Sequence, residues 1–179
     1  MDLHLRPRLL RVLSYVRDGD VLWDIGCDHG YLGMRALLDK NLSKLICVDQ
    51  SPRVIQNLKK RMALENLPPQ VRQDVLQRIP DYEDKDIRHI CADAASLKPE
   101  PISGTVVIAG MGAKAIIRIL NEFVCKNWRP HTQLLLIPNA ERQRLREALQ
   151  EMQLHVQEES IQDGKRVFYL FRAFHEQED

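Results

Sequence analysis

The stretch Asp24-Ile25-Gly26-Cys27-Asp28-His29-Gly30-Tyr31 combines the residue types and spacing of a ligand-binding turn. An apolar strand ends, the chain turns on glycine, and a helix begins. Gly26 and Gly30 let the backbone approach a ligand closely. Asp49 closes the next apolar run about 20 residues further on, where a carboxylate can accept both hydroxyls of a ribose. Together the two features indicate a bound nucleoside. A dinucleotide site would want G-x-G-x-x-G here, but Asp28 takes the second glycine's place. Its carboxylate would repel a pyrophosphate, and Asp24 adds to the negative field. S-adenosylmethionine has no phosphate and carries a cationic sulfonium and ammonium. The acidic turn therefore suits it better than a nicotinamide dinucleotide. The plainer alternative is an ordinary strand-to-helix turn with Asp capping the helix.

Other candidates follow strand ends. Asp93, in Cys91-Ala92-Asp93-Ala94, stands where an adenine amino group could be received, or forms an Asx turn. Gln50 and Ala94, next to the two acids, are expected among the cofactor contacts together with Asp24, Gly26, Cys27, Gly30, Ala109, Gly110 and Met111. Ala109-Gly110-Met111-Gly112 ends the fourth strand; its glycines keep the floor of the pocket open to a large substrate, or permit a tight helix entry. Asn139 could bond a base edge or cap the next helix. Two arginine sets could meet phosphates: Arg6, Arg8, Arg11 and Arg17 before the turn, and Arg142, Arg144 and Arg146 near the end. The alternative for each is a solvated helix face.

Helix and strand patterns alternate in a way that places these residues. An amphipathic, basic helix is expected over residues 3–17, with Pro7 in its first turn. Strands are expected at Val21–Ile25, Lys44–Val48, Arg88–Ala92, Thr105–Ala109 and Gln133–Ile137. Helices are expected at Tyr31–Lys40, Pro52–Asn66, Ala113–Lys126 and Ala140–Gln153. Strands His155–Ile161 and Arg166–Phe174 close the chain as a hairpin about Gln162-Asp163-Gly164-Lys165. Residues 67–86, broken by Pro68, Pro69 and Pro80, read as an insertion with a short helix over Val71–Ile79, either on the surface or as a flap over the pocket. The pattern implies one α/β domain over 1–179 with a Rossmann-like, mostly parallel seven-stranded sheet and an antiparallel terminal hairpin. Ligands of such sheets bind beyond the carboxyl ends of the strands.

Composition narrows the classes. The 179 residues carry 26 basic and 25 acidic side chains, a net charge of +1, which excludes a histone-like polybasic protein. It leaves room for a local RNA-binding patch. No apolar run approaches the roughly 20 residues of a membrane span, and no signal peptide is recognisable, because Arg8, Arg11 and Arg17 interrupt the first apolar residues. Cys27, Cys47, Cys91 and Cys125 form no C-x-x-C pair and no metal cluster. They are expected to be buried, reduced thiols of a cytoplasmic protein that binds no metal and is monomeric.

Three segments make the reading more specific. The run Asp24 to Leu32, Val107-Ile108-Ala109-Gly110-Met111-Gly112, and Leu136-Ile137-Pro138-Asn139 followed by Arg144-Leu145-Arg146-Glu147 resemble the TrmK family, bacterial tRNA adenine-N1 methyltransferases. Arg8-Leu9 with Val12 belongs to the same likeness, which spans most of residues 8–174. The resemblance implies cofactor binding at the Gly26 turn, Asp49 and Asp93, and a substrate-side role for Asp28 with His29 and Tyr31 beside it. The absence of an Asn-Pro-Pro-Tyr motif fits chemistry on ring N1 rather than on an exocyclic nitrogen. This chain differs in having Cys27 for the usual Ser, Ala113 for a usual Gly, and a longer insertion after the second helix. It stops at Asp179, where family members usually continue into a helical extension that helps hold tRNA, so RNA contacts are expected on Arg6, Arg8, Arg11 and Arg144. A small-molecule methyltransferase and a noncatalytic binding protein of the same fold remain the alternatives.

Overall fold

A computed structural model describes residues 5–174. Seven strands form one sheet in the order β3-β2-β1-β4-β5-β7-β6. They are β1 (Val21–Ile25), β2 (Lys44–Asp49), β3 (Asp86–Cys91), β4 (Thr105–Met111), β5 (Gln133–Pro138), β6 (His155–Asp163) and β7 (Arg166–Phe174). β1 to β5 run parallel, and β7 joins β5 antiparallel before pairing with β6. This is the expected α/β architecture. β1 lies between β2 and β4, so the strand order reverses beside it and a crevice opens at its carboxyl end.

Alternate strand residues feed two cores, the pattern of a sheet covered on both faces. Leu22, Leu45, Cys47, Val107 and Leu135 pack under α1 (Pro7–Tyr15), α2 (Tyr31–Asp39) and α3 (Pro52–Met62). Trp23, Ile25, Ile46, Val106 and Ile108 face the opposite layer, which includes α5 (Ala113–Ile119), α6 (Cys125–Asn127) and α7 (Arg142–Glu151). α1 starts on Pro7, whose missing N–H costs nothing there. It buries Val12 and Leu13; residues 3 and 4 of the expected helix lie outside the described residues.

Several boundaries differ from expectation. α3 stops at Met62, and a 3-10 turn over Leu64–Asn66 replaces its expected last turn. Between α5 and α6 the helix widens into a π turn, Leu120–Val124, which buries Phe123 and Val124 side by side. Phe123 meets Trp23 edge-on, with ring centroids 5.6 Å apart. β4 runs past Ala109 to Met111 through a register shift. The terminal strands pair out to Asp163 and Arg166, leaving Gly164 and Lys165 as the loop.

The insertion contains α4 (Pro69–Arg78) and a 3-10 turn, Tyr82–Asp84. It is anchored to the end of α2 farthest from the glycine turn, where Arg78 Nη2 lies 3.0 Å from Asp39 Oδ1. Leu64, Leu67 and Val75 form its small core. It is therefore a surface layer and not a flap over the crevice. The thiols correct a second expectation. Cys27 and Cys47 are buried, but Cys91 and Cys125 are exposed; Cys91 ends β3, which is an edge strand. Among the described residues no helix is long and apolar enough to cross a membrane.

Candidate active site

The turn after β1 is stitched to β2 by its backbone. The N–H groups of Gly26 and Cys27 donate to Val48 O at 2.8 and 3.2 Å, and Gly30 N–H donates to Cys27 O at 2.7 Å. Gly26, Asp28 and Gly30 all have positive φ, +75°, +48° and +69°. Aspartate tolerates that region better than most side chains, and position 30 favours glycine twice over, by its φ and by the nearness of α3. A Cβ there would lie 2.1 Å from Leu58 Cδ1 of α3. Gly30 thus brings α3 against the start of α2, whose N-terminus has no side-chain cap.

Asp49 closes the second side. Its Oδ1 accepts Ser51 N–H at 2.8 Å and its Oδ2 accepts Asp28 N–H at 3.3 Å. Each carboxylate oxygen keeps further acceptor capacity, so two fixed oxygens are presented as a diol would need them. Asp24 lies below. It is fully buried, and its Oδ2 has no hydrogen-bond partner among the described residues. Burial pushes its pKa up to about 7; a Gly33 amide pulls it back, and the charges of Asp49 and Asp28 push it up again. An orphaned buried carboxyl of this kind matches a cationic group.

Asp28, His29 and Tyr31 stand exposed at the mouth. His29 Nδ1 lies 3.7 Å from Asp28 Oδ1, and the His29 and Tyr31 rings meet edge-on at 5.6 Å. Arg61 of α3 joins them, a residue that sequence reasoning missed. It donates to His29 O at 2.9 Å and places its guanidinium 5.4 Å from the Tyr31 ring centre.

On the far side, Asn139 Nδ2 donates to Gly110 O at 2.6 Å, and its N–H donates to Met111 O at 2.8 Å. Asn139 therefore ties the ends of β4 and β5 together and does not cap α7, whose N-cap is Glu141. The Met111 methyl lies over Gly26, 2.4 Å from where a Cβ would be. Asp93 accepts Ala95 N–H and meets Arg118 through both oxygens, at 2.8 and 3.0 Å. Hydrogen bonding to Arg118 holds its pKa below the usual carboxylate value. Arg118 was also missed, because its partner is 25 residues away. Gln50 is exposed beside Asp49 and Ala94 buried beside Asp93.

The arginines expected to meet phosphates are mostly occupied. Arg11 makes two 2.8 Å contacts to Glu159, and Arg8 lies 3.7 Å from Asp163 with its guanidinium over Phe168. Arg144 pairs with Glu141, and Arg142 and Arg146 with Glu158. Arg6 alone of Arg6, Arg8, Arg11 and Arg144 makes no ion pair among the described residues. No group of three or more His, Cys, Asp or Glu among the described residues could hold a metal.

Residues 5–171 match the profile of a family described as a methyltransferase domain. The chain belongs to this methyltransferase family. Solved structures agree on the fold. The B. subtilis M1A22 tRNA methyltransferase TrmK superposes with TM-score 0.77 at 22% identity, covering 97% of this chain and 68% of that one. Streptococcus pneumoniae Sp1610 in complex with S-adenosyl-L-methionine, described as a putative tRNA (m1A22) methyltransferase, gives 0.76 at 22% identity, covering 98% and 75%. A Streptococcus agalactiae protein of the NADB-Rossmann superfamily gives 0.74 at 26% identity, covering 100% and 72%. No curated protein matches the chain by sequence. Within the methyltransferase fold, the acidic turn and Asp49 lie at the carboxyl ends of β1 and β2, where the strand order places the crevice.

Proposed function

We propose that this methyltransferase domain uses S-adenosylmethionine to methylate N1 of an adenine in tRNA. The observation that carries the reading is the acidic cradle: a buried carboxyl with an orphaned oxygen below the turn, and the two fixed oxygens of Asp49 beside it. It suits a cationic nucleoside and disfavours a pyrophosphate. Likeness to structures described as tRNA (m1A22) methyltransferases supports the tRNA part.

When bound, S-adenosylmethionine supplies an electrophilic methyl group. Asp24 would face its positive charge, Asp49 would hold the ribose, and Asp93 with its Arg118 partner would stand near the adenine. The target base enters over the Asn139-bound ends of β4 and β5. Its N1 lone pair would take up the methyl group that the cofactor supplies, leaving the positive charge on the base. Asp28 accepts a hydrogen bond from the base's N6–H and stabilises that charge as it forms. His29 and Tyr31 flank the base, which must be unpaired because N1 lies on its pairing edge.

Incubation of the chain with tRNA and S-adenosylmethionine should yield 1-methyladenosine in a nucleoside digest read by mass spectrometry. Cofactor binding without any methylated nucleoside would point to a small-molecule substrate. Asp28→Asn should slow methyl transfer by at least about tenfold, or about 1.4 kcal/mol of barrier, with cofactor affinity little changed; a wild-type rate removes Asp28 from the chemistry. Asp49→Ala should weaken cofactor binding by roughly 1–3 kcal/mol in titration calorimetry. Equal affinities for the two proteins would place the ribose elsewhere.

A further inference from the structure

Sequence periodicity directs attention to the arginines of α1 and α7, yet carboxylates of β6 and neighbouring turns neutralise most of them. α3 is different. Its sequence, PRVIQNLKKRM, holds four cations and no acid. Arg53, Lys59 and Lys60 are exposed, and none of them has a hydrogen bond or ion pair among the described residues. Ile55, Leu58 and Met62 face the core, so Arg53, Asn57 and Lys60, at i, i+4 and i+7, share the outer face.

Both ends of this helix are tied to the candidate site. At its start, Ser51 accepts Val54 N–H as the N-cap while its own N–H donates to Asp49. At its end, Leu58 fills the space beside Gly30, and Arg61 holds His29 O and the Tyr31 ring. Unpaired cations are therefore held along one rim of the mouth by the same contacts that shape the cofactor turn. An 11-residue helix is about 16 Å long, enough to follow several phosphates of an extended strand. Unpaired cations cost nothing to release from existing partners, whereas recruiting Arg11 would break its two contacts with Glu159.

We infer that the exposed cations of α3, Arg53 and Lys60 on its outer face and Lys59 on its flank, bind the phosphate backbone of the RNA whose base enters the site, with Tyr31 at the end of this ridge as a stacking surface. The inference rests on the RNA-methyltransferase reading and adds where the RNA lies. Phosphate contacts set position and register but read no sequence, so affinity along the ridge depends steeply on salt.

The test uses the full chain and fluorescently labelled tRNA, with anisotropy at a series of salt concentrations. The triple variant Arg53→Ala, Lys59→Ala, Lys60→Ala should weaken binding about tenfold and flatten the slope of log K against log salt by roughly two units. Its thermal midpoint and its affinity for S-adenosylmethionine should match the parent's. The double variant Arg8→Ala, Arg11→Ala should leave the slope unchanged. A triple variant with the parent's slope overturns the ridge while leaving the RNA reading standing. A slope lost only in the double variant overturns it too and returns the RNA to α1. A parent chain with no salt-dependent affinity for tRNA overturns ridge and RNA reading together.

Discussion

Asp24→Asn is expected to remove a large loss of stability that the parent suffers as the pH rises from about 4 to about 7. In the unfolded chain this carboxyl titrates near its ordinary value of 3.8, whereas burial raises it to about 7 in the fold. Below about pH 4 both states carry the proton and the group contributes no penalty. As the pH rises through 7 the unfolded chain has already ionised, while the folded protein must bury a charge, so the stability held by the neutral acid is lost. The difference of about three units corresponds to about 4 kcal/mol, fully developed above pH 7. Asparagine cannot ionise. Urea denaturation of both proteins at pH 4.5 and pH 8 measures the change within each, so the cost of burying the amide cancels. Equal changes in the two proteins would mean that Asp24 is already charged in the fold. The same carboxyl gives the proposed cofactor a signature. A cation beside Asp24 favours its ionised form, so binding at pH 6 should release a proton. Calorimetry in two buffers of different ionisation heat should show that release in the parent and none in the variant.

Gly104→Ala is expected to cost about 3 kcal/mol. Gly104 precedes β4 with φ +81°, and a Cβ there would lie 2.3 Å from Val21 O and 2.9 Å from Val21 N. Both are backbone atoms of β1, which cannot swing aside as a side chain would. On the other side, Gly104 O accepts Gln133 N–H of β5 at 2.9 Å, so a retreat from β1 disturbs the next strand. The left-handed conformation adds about 1–2 kcal/mol and the overlap about 1–3. For a chain of this size that lowers the melting temperature by roughly 6–12 °C. Gly164→Ala provides the comparison: it also has positive φ, +64°, but nothing lies within 4 Å of the new methyl. It should lose only the conformational part, about 1 kcal/mol. Similar losses in the two variants would show that β1 and β4 separate easily.

The alternation of helix and strand patterns was legible because each apolar run is itself the face that packs. Val21–Ile25 is a strand in the expected place because its neighbours bury both of its faces. The glycine turn was legible too, since Gly26, Asp28 and Gly30 act through local backbone geometry. What escaped were features that depend on distant partners. Arg61 and Arg118 look like ordinary surface arginines until α3 meets His29 and α5 meets Asp93. Arg8 and Arg11 show a basic face in sequence, but the acids that neutralise them lie on β6, at the other end of the chain. The π turn at Leu120–Val124 escaped because one extra residue per turn does not interrupt an apolar helical pattern.

The clasp between Arg11 and Glu159 spans 148 residues of chain. During synthesis α1 emerges before every strand of the sheet, yet the surface it covers includes Ile161 and Leu170, on the last two strands of the sheet. At about 5–20 residues per second, the apolar side of α1 waits roughly 8–30 seconds for that surface. The nascent chain therefore carries an unpaired amphipathic helix for that time, and α1 and the β6–β7 hairpin must find each other before the domain is closed.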